Sequence, residues 1–171
     1  MAKEKIIGRT NETGILTKAL HSTEPEFIAI YGRRRVGKTF LIREFFEDTL
    51  CFEMVGVHQA SLKEQLKNFA HSLKSAIGIG ILPQAPESWF EAFSTLEQFL
   101  ESSTLNQKTG KRVVFIDELP WFNTAKSGFL RALEHFWNSY GSKKSNLIMV
   151  VCGSAASWMI QKIVHSKGGL H

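Results

Sequence analysis

Apolar positions in this chain fall into two kinds of segment that alternate. The first kind is short and apolar almost throughout: "EFIAIYG" (26–32), "LCFEMVGV" (50–57), "KRVVFIDELPW" (111–121) and "NLIMVVCGS" (146–154). Such runs read as strands buried on both faces. The second kind repeats every three or four residues and reads as helix. "NETGILTKAL" opens with the cap candidate Asn11 and carries Ile15, Leu16, Ala19 and Leu20. "TFLIREFFED" presents Phe40, Leu41, Phe45 and Phe46. Ser61 and Glu64 have capping-box spacing, and Leu62, Leu66, Phe69, Ala70, Leu73 and Ile77 follow, with Gly78 and Gly80 as the stop. After Pro86, one side collects Trp89, Phe90, Phe93, Leu96, Phe99 and Leu100; later, Phe129, Leu130, Leu133, Phe136, Trp137 and Tyr140 form another stripe, and "SWMIQKIV" begins a last helix. The aromatic stripes are core-facing, because packing onto a sheet accounts for all of them. Buried strands separated by helices predict an α/β fold with a parallel sheet covered on both faces, and ligands of such sheets bind at the carboxyl ends of the strands.

Candidate chemistry sits at those strand ends. After the first strand comes Gly32-Arg33-Arg34-Arg35-Val36-Gly37-Lys38-Thr39, a complete phosphate-loop pattern between a predicted strand and a predicted helix. Its glycines let consecutive N–H groups turn toward one anion, and the helix adds the positive end of its dipole. Lys38 can reach the β- and γ-phosphates of a nucleotide, and the Thr39 hydroxyl can ligate Mg²⁺. Arg33, Arg34 and Arg35 lie outside the pattern; they raise the local positive potential, and the expectation is one functional arginine and two solvated ones. The third strand emerges into Asp117 and Glu118. Asp117 is placed to hold the Mg²⁺ shell, and Glu118 to polarise a water for in-line attack. Two adjacent carboxylates favour a hydrolase over a small-molecule kinase. The fourth strand ends in Ser154, a candidate sensor of the γ-phosphate or the water, with Ser157 second; the alternative is a serine that caps the next helix.

Composition changes this picture little. The 171 residues contain 43% hydrophobic and 22% charged positions, with 13 Phe and four Trp, which suits a packed domain. The net charge of +5 fits an anionic ligand, yet outside Arg33–Arg35 the charges are spread, so it argues little for nucleic acid. Cys51 and Cys152 lie in apolar runs and read as buried thiols, neither disulfide nor metal pair. No apolar run approaches a membrane span, and the charged start "MAKEKIIGRT" is unlike a secretory signal; a cytoplasmic protein is expected.

Taken together, "IIGRTNETGIL", "YGRRRVGKTFLI", "VVFIDELPW" and "VVCGSAASWM" resemble the archaeal ATPase family of AAA+/STAND-type P-loop NTPases over nearly the whole chain. The resemblance implies a three-layer sandwich, a Walker A loop with Phe40 following it, a Walker B pair, ATP or ADP with Mg²⁺ as ligands, and Ile7, Gly8 and Arg9 near the adenine. It also implies that these residues are the N-terminal core of a longer protein whose lid and effector domain lie beyond it. In folds of this type the strand at about Phe27–Tyr31 lies between the strand ending at Cys152 and a later strand. Four parallel strands are therefore expected here, with the edge at Phe27–Tyr31 open or filled by another molecule, and weak steady-state turnover. An arginine finger cannot be assigned beyond Arg131 as a candidate. ATP is expected over GTP, since no Asn-Lys-x-Asp stretch is present. The rivals are a non-hydrolytic nucleotide switch acting on a protein effector or through self-association, a DNA-associated module, and a P-loop kinase.

Overall fold

Each strand expected from an apolar run forms, and all pair in parallel. The computed structural model describes residues 6, 8–78 and 84–165. In chain order the elements are α1 (Thr10–His21), β1 (Glu26–Tyr31), α2 (Lys38–Phe45), β2 (Leu50–Val55), α3 (Leu62–Ile77), α4 (Trp89–Ser102), β3 (Arg112–Asp117), α5 (Phe129–Ser139), β4 (Leu147–Gly153) and α6 (Ala156–Met159). The sheet order is β1-β4-β3-β2. Pairing runs from Glu26↔Ile148 to Tyr31↔Gly153 between β1 and β4, and from Arg112↔Leu147 to Ile116↔Val151 between β3 and β4. Among the described residues β1 therefore has one strand neighbour, and its outer edge is open.

Side chains alternate across the sheet with period two, which sorts the core into two layers. Val114 and Ile116 of β3, with Met149 and Val151 of β4, face α3, α4 and α5 through Leu66, Phe69, Trp89, Phe93, Phe129 and Leu133. Val113 and Phe115, with Ile148, Val150 and Cys152, face α1 and α2 through Leu16, Ala19, Leu41, Ile42 and Phe46. β4 is buried along its whole length, whereas β1 is only half-buried. The α/β three-layer sandwich expected from the sequence is the observed fold.

Local details differ in places. The first helix starts at Thr10, so Asn11 lies inside it and does not cap it. Arg9 takes the cap position, its carbonyl accepts from the Thr13 hydroxyl at 2.8 Å, and its guanidinium is tied to the Val36 carbonyl. That tertiary tie, invisible to local pattern, sets where the helix begins. Ile15, Phe40, Ile77 and Phe90 are exposed, because the buried stripe on each helix is narrower than its run of apolar letters. The Ser61–Glu64 capping box forms as expected, and Gly78 ends α3 in the left-handed conformation; Gly80 lies outside the described residues. "SWMIQKIV" is not one regular helix: α6 lasts a single turn and passes into a π-helical turn, Ile160–Val164.

Candidate functional site

The loop between β1 and α2 turns through two glycines with positive φ, Gly32 at 147° and Gly37 at 78°. Arg35 also has positive φ, at 61°, a conformation costly for a side chain with a Cβ. The loop delivers the chain into α2, whose first residue is Lys38 and whose first-turn N–H groups have no partner within the helix. Lys38 is almost fully buried, and its ammonium donates to the carbonyls of Gly32 at 3.0 Å and Arg33 at 2.6 Å. The lysine thus closes the loop on itself, with its charge at the centre of the turn.

Strand alternation explains what lies opposite. Val113 and Phe115 face α2, so Asp117, two residues further, faces the same way. Its Oδ2 accepts from the Thr39 hydroxyl at 2.5 Å, and its Oδ1 accepts from the Glu118 N–H at 2.8 Å. Cys152, on the same face of β4, is pushed well above the ordinary thiol range by burial first and by the Asp117 charge second. It stays protonated beside the carboxylate.

Glu118 leaves the strand in left-handed conformation, with φ 49° and ψ 45°, and opens a short 3₁₀ turn, Leu119–Phe122. Two glycines pinch this turn. A Cβ on Gly56 would lie 2.5 Å from the Glu118 carbonyl oxygen, and one on Gly153 would lie 2.9 Å from Pro120 Cδ and 2.8 Å from Met159 Sδ. Gln65, fully buried on α3, adds a third tie by donating to the carbonyls of Val57 at 2.7 Å and Trp121 at 3.1 Å. With its backbone fixed, the half-buried Glu118 reaches Ser154, whose hydroxyl donates to Oε2 at 3.3 Å. Ser154 in turn accepts from Arg34 Nε at 3.2 Å, and the Arg34 guanidinium lies 5.3 Å from the centre of the Trp121 ring. A cleft of about 620 Å³ opens over Arg34, Arg35, Gly37, Thr39, Phe40 and both carboxylates.

The sequence of this chain matches a known family. A model of an ATPase domain found predominantly in Archaea covers residues 7–171. The chain belongs to that family. An uncharacterized protein of Methanocaldococcus jannaschii is 26% identical over 165 residues, which are 96% of this chain and 33% of that protein. The Walker-type ATPase of Pyrococcus abyssi has the same fold, with a TM-score of 0.62 at 20% identity over 96% of this chain and 50% of its own. Drosophila ORC, solved bound to DNA, shares the fold at a TM-score of 0.51 and 14% identity, over 85% of this chain and 38% of that one. The chain thus spans a third to a half of these relatives.

In the ATPase domain the residues singled out in the sequence converge unevenly. Lys38, Thr39, Asp117, Glu118 and Ser154 come together, and Arg34 joins them. Arg33 and Arg35 are exposed; Arg35 and Phe40 border the cleft. Gly8, Arg9, Tyr31 and Val36 line a second groove of about 700 Å³, which reaches Lys38 from the other side of the loop. Ile7 lies outside the described residues. Ser157 is exposed on the first turn of α6, and Arg131 is exposed on α5 and does not border the cleft. Ser154 does not cap α6: Ala155 holds that position, without any side-chain cap. Sequence reasoning missed Gly56 and Gln65, and it gave Trp121 no role beyond closing the motif "VVFIDELPW". Gln65 carried a signal, a polar residue on the buried stripe of α3.

The Thr39 hydroxyl and Asp117 carboxylate are hard oxygen donors that already meet in the cleft, and they fit Mg²⁺, which takes few protein ligands and keeps waters and phosphate oxygens. Among the described residues no cluster of three or more His, Cys, Asp or Glu side chains offers an all-protein cage instead. No helix of the described residues is long and apolar enough to cross a membrane.

Proposed function

We propose that this domain binds Mg·ATP across the 32–39 loop and hydrolyses it to ADP and phosphate, as the cytoplasmic nucleotide-driven core of a larger AAA+/STAND-type assembly. The observation that carries the reading is the meeting of Thr39 with Asp117 at 2.5 Å, with Glu118 next in sequence and aimed into the same cleft. Phosphates would lie against the loop N–H groups and the start of α2, where anions are favoured. The groove beside Gly8, Arg9 and Tyr31 would take the adenosine end.

Each residue then has a defined task. Lys38 exchanges the Gly32 and Arg33 carbonyls for β- and γ-phosphate oxygens, a stronger, charge-assisted pairing. Thr39 and Asp117 would hold Mg²⁺, which would supply positive charge against the phosphates. Glu118 accepts the proton of the attacking water as the new O–P bond forms and the bond to the ADP oxygen breaks. Ser154, which donates to Glu118 Oε2, sets the resting position of that carboxylate before the terminal phosphate arrives.

The buried Asp117 bonded to Thr39, with Glu118 beside it in the same cleft, favours this reading over a kinase. A DNA-associated module gains the fold likeness to ORC, but Arg34 is engaged within the site by Ser154 and Trp121. Glu118→Gln is expected to retain ATP affinity and slow single-turnover hydrolysis by roughly two to four orders of magnitude. Hydrolysis by the variant at the parental rate would remove Glu118 as the base, and no hydrolysis by the parent itself would leave the non-hydrolytic switch as the better account.

A further inference from the structure

We propose that Arg34 is a positioning residue that reports the terminal phosphate: without it the guanidinium rests on Trp121 and holds Ser154, and with it the guanidinium moves to the phosphate and releases the serine. This inference rests on the nucleotide-binding reading above.

Several observations converge. Of the three arginines between the loop glycines, Arg34 is the one whose side chain has a partner inside the site, Ser154 Nε–Oγ at 3.2 Å. Its other contact is a π face, with the guanidinium carbon 5.3 Å from the Trp121 centroid. Such a contact is weak at an exposed site, whereas a guanidinium paired with phosphate forms charge-assisted, often bidentate hydrogen bonds. The resting position is thus one the arginine gives up readily when a phosphate oxygen comes within reach.

What it gives up has consequences for Glu118. The Ser154 hydroxyl has one proton. While Arg34 donates to its oxygen, that proton is directed at Glu118 Oε2, 3.3 Å away. The turn carrying both Glu118 and Trp121 cannot adjust in compensation, since Gly56, Gly153 and Gln65 pin its backbone. The carboxylate can therefore respond only through its side chain. Departure of Arg34 frees Ser154 to turn and unpins the Glu118 carboxylate, coupling the presence of a third phosphate to the freedom of the base.

Trp121 makes the movement readable, since an adjacent cation alters indole emission. The response of Trp121 is isolated in the 171-residue chain as the difference between the parent and Trp121→Phe, titrated with ADP and with a non-hydrolysable ATP analogue, and with binding followed in parallel by calorimetry. The analogue should change Trp121 emission at saturation and ADP should not. Arg34→Ala should start at the released signal and lose the response while still binding the analogue. Arg34→Lys, which keeps charge without the planar fork, should also lose it, and Arg33→Ala should keep it. Should Trp121→Phe disturb the fold, a one-bond NMR correlation of the Trp121 indole N–H in the parent gives the same comparison. Equal responses to ADP and analogue, no response at saturation, or a full response in Arg34→Ala would each overturn the proposal. Binding with a silent Trp121 leaves the nucleotide reading standing, whereas no binding by calorimetry overturns both.

Discussion

The two faces of the sheet are built differently. Against α3, α4 and α5 lies an aromatic layer centred on Trp89, whose ring meets Phe69, Phe93, Phe122 and Phe129 at centroid distances of 4.9–6.4 Å. Against α1 and α2 lies a thinner layer of mostly aliphatic side chains, and its half-buried members Ile28 and Ile30 belong to the open-edged β1. The thick face holds the fold. The thin face carries the loop, Lys38, Thr39 and Asp117. Stability and chemistry are thus drawn from opposite sides of one sheet, and the 3₁₀ turn at Leu119–Phe122 joins them, with Phe122 packed in the aromatic layer and Glu118 in the cleft.

The sharpest way to break this contrast is to damage one face and read the other. Trp89→Ala should cost about 3–5 kcal/mol of stability, as for other large-to-small aromatic changes in a core, seen as a lower urea midpoint. Lys38→Ala should do the reverse: the midpoint stays near the parent, while ATP affinity by calorimetry falls by roughly 1.5–3 kcal/mol, the scale of a lost charge-assisted bond. Gly153→Ala probes the joint between the faces. Its Cβ would crowd Met159 and Pro120, so about 1–3 kcal/mol of overpacking cost is expected, together with slower hydrolysis as Ser154 shifts. At the small end, Ile15→Ser on the exposed side of α1 should change the midpoint by less than about 0.5 kcal/mol. If Trp89→Ala and Ile15→Ser proved alike, the aromatic layer would not be the one that holds the fold.

The strands were legible because all four read as short runs apolar almost throughout, β2 being broken by Glu53, and the loop was legible because its glycines, lysine and threonine keep fixed spacing. The meeting of Thr39 with Asp117 was legible in kind, since both were expected at one Mg²⁺ site by the carboxyl ends of the strands, Thr39 at the start of α2 and Asp117 at the end of β3. What resisted reading depends on approach through space. Gly56 is one glycine at a strand end until the Glu118 carbonyl is seen against it. Arg9 looks like a solvated charge beside a cap candidate until its guanidinium is found on the Val36 carbonyl. Arg33, Arg34 and Arg35 are three identical letters, and the partners that distinguish Arg34 come from residues 121 and 154.

The strand order also constrains how the domain is made. Among the described residues β1 pairs with β4 alone, a strand far later in sequence, and β4 stands between β1 and β3. Contacts this distant in sequence close slowly, because the entropy of the intervening chain is lost before they form. During synthesis, β1 and the loop after it therefore wait without a strand partner until residues 147–153 leave the ribosome. The aromatic layer of α3 and α4 can collapse on β2 and β3 in the meantime. Among these elements the cleft is then the last to assemble, and a chain cut short before Leu147 would display an unpaired β1 to other chains, an aggregation hazard present before any nucleotide could bind.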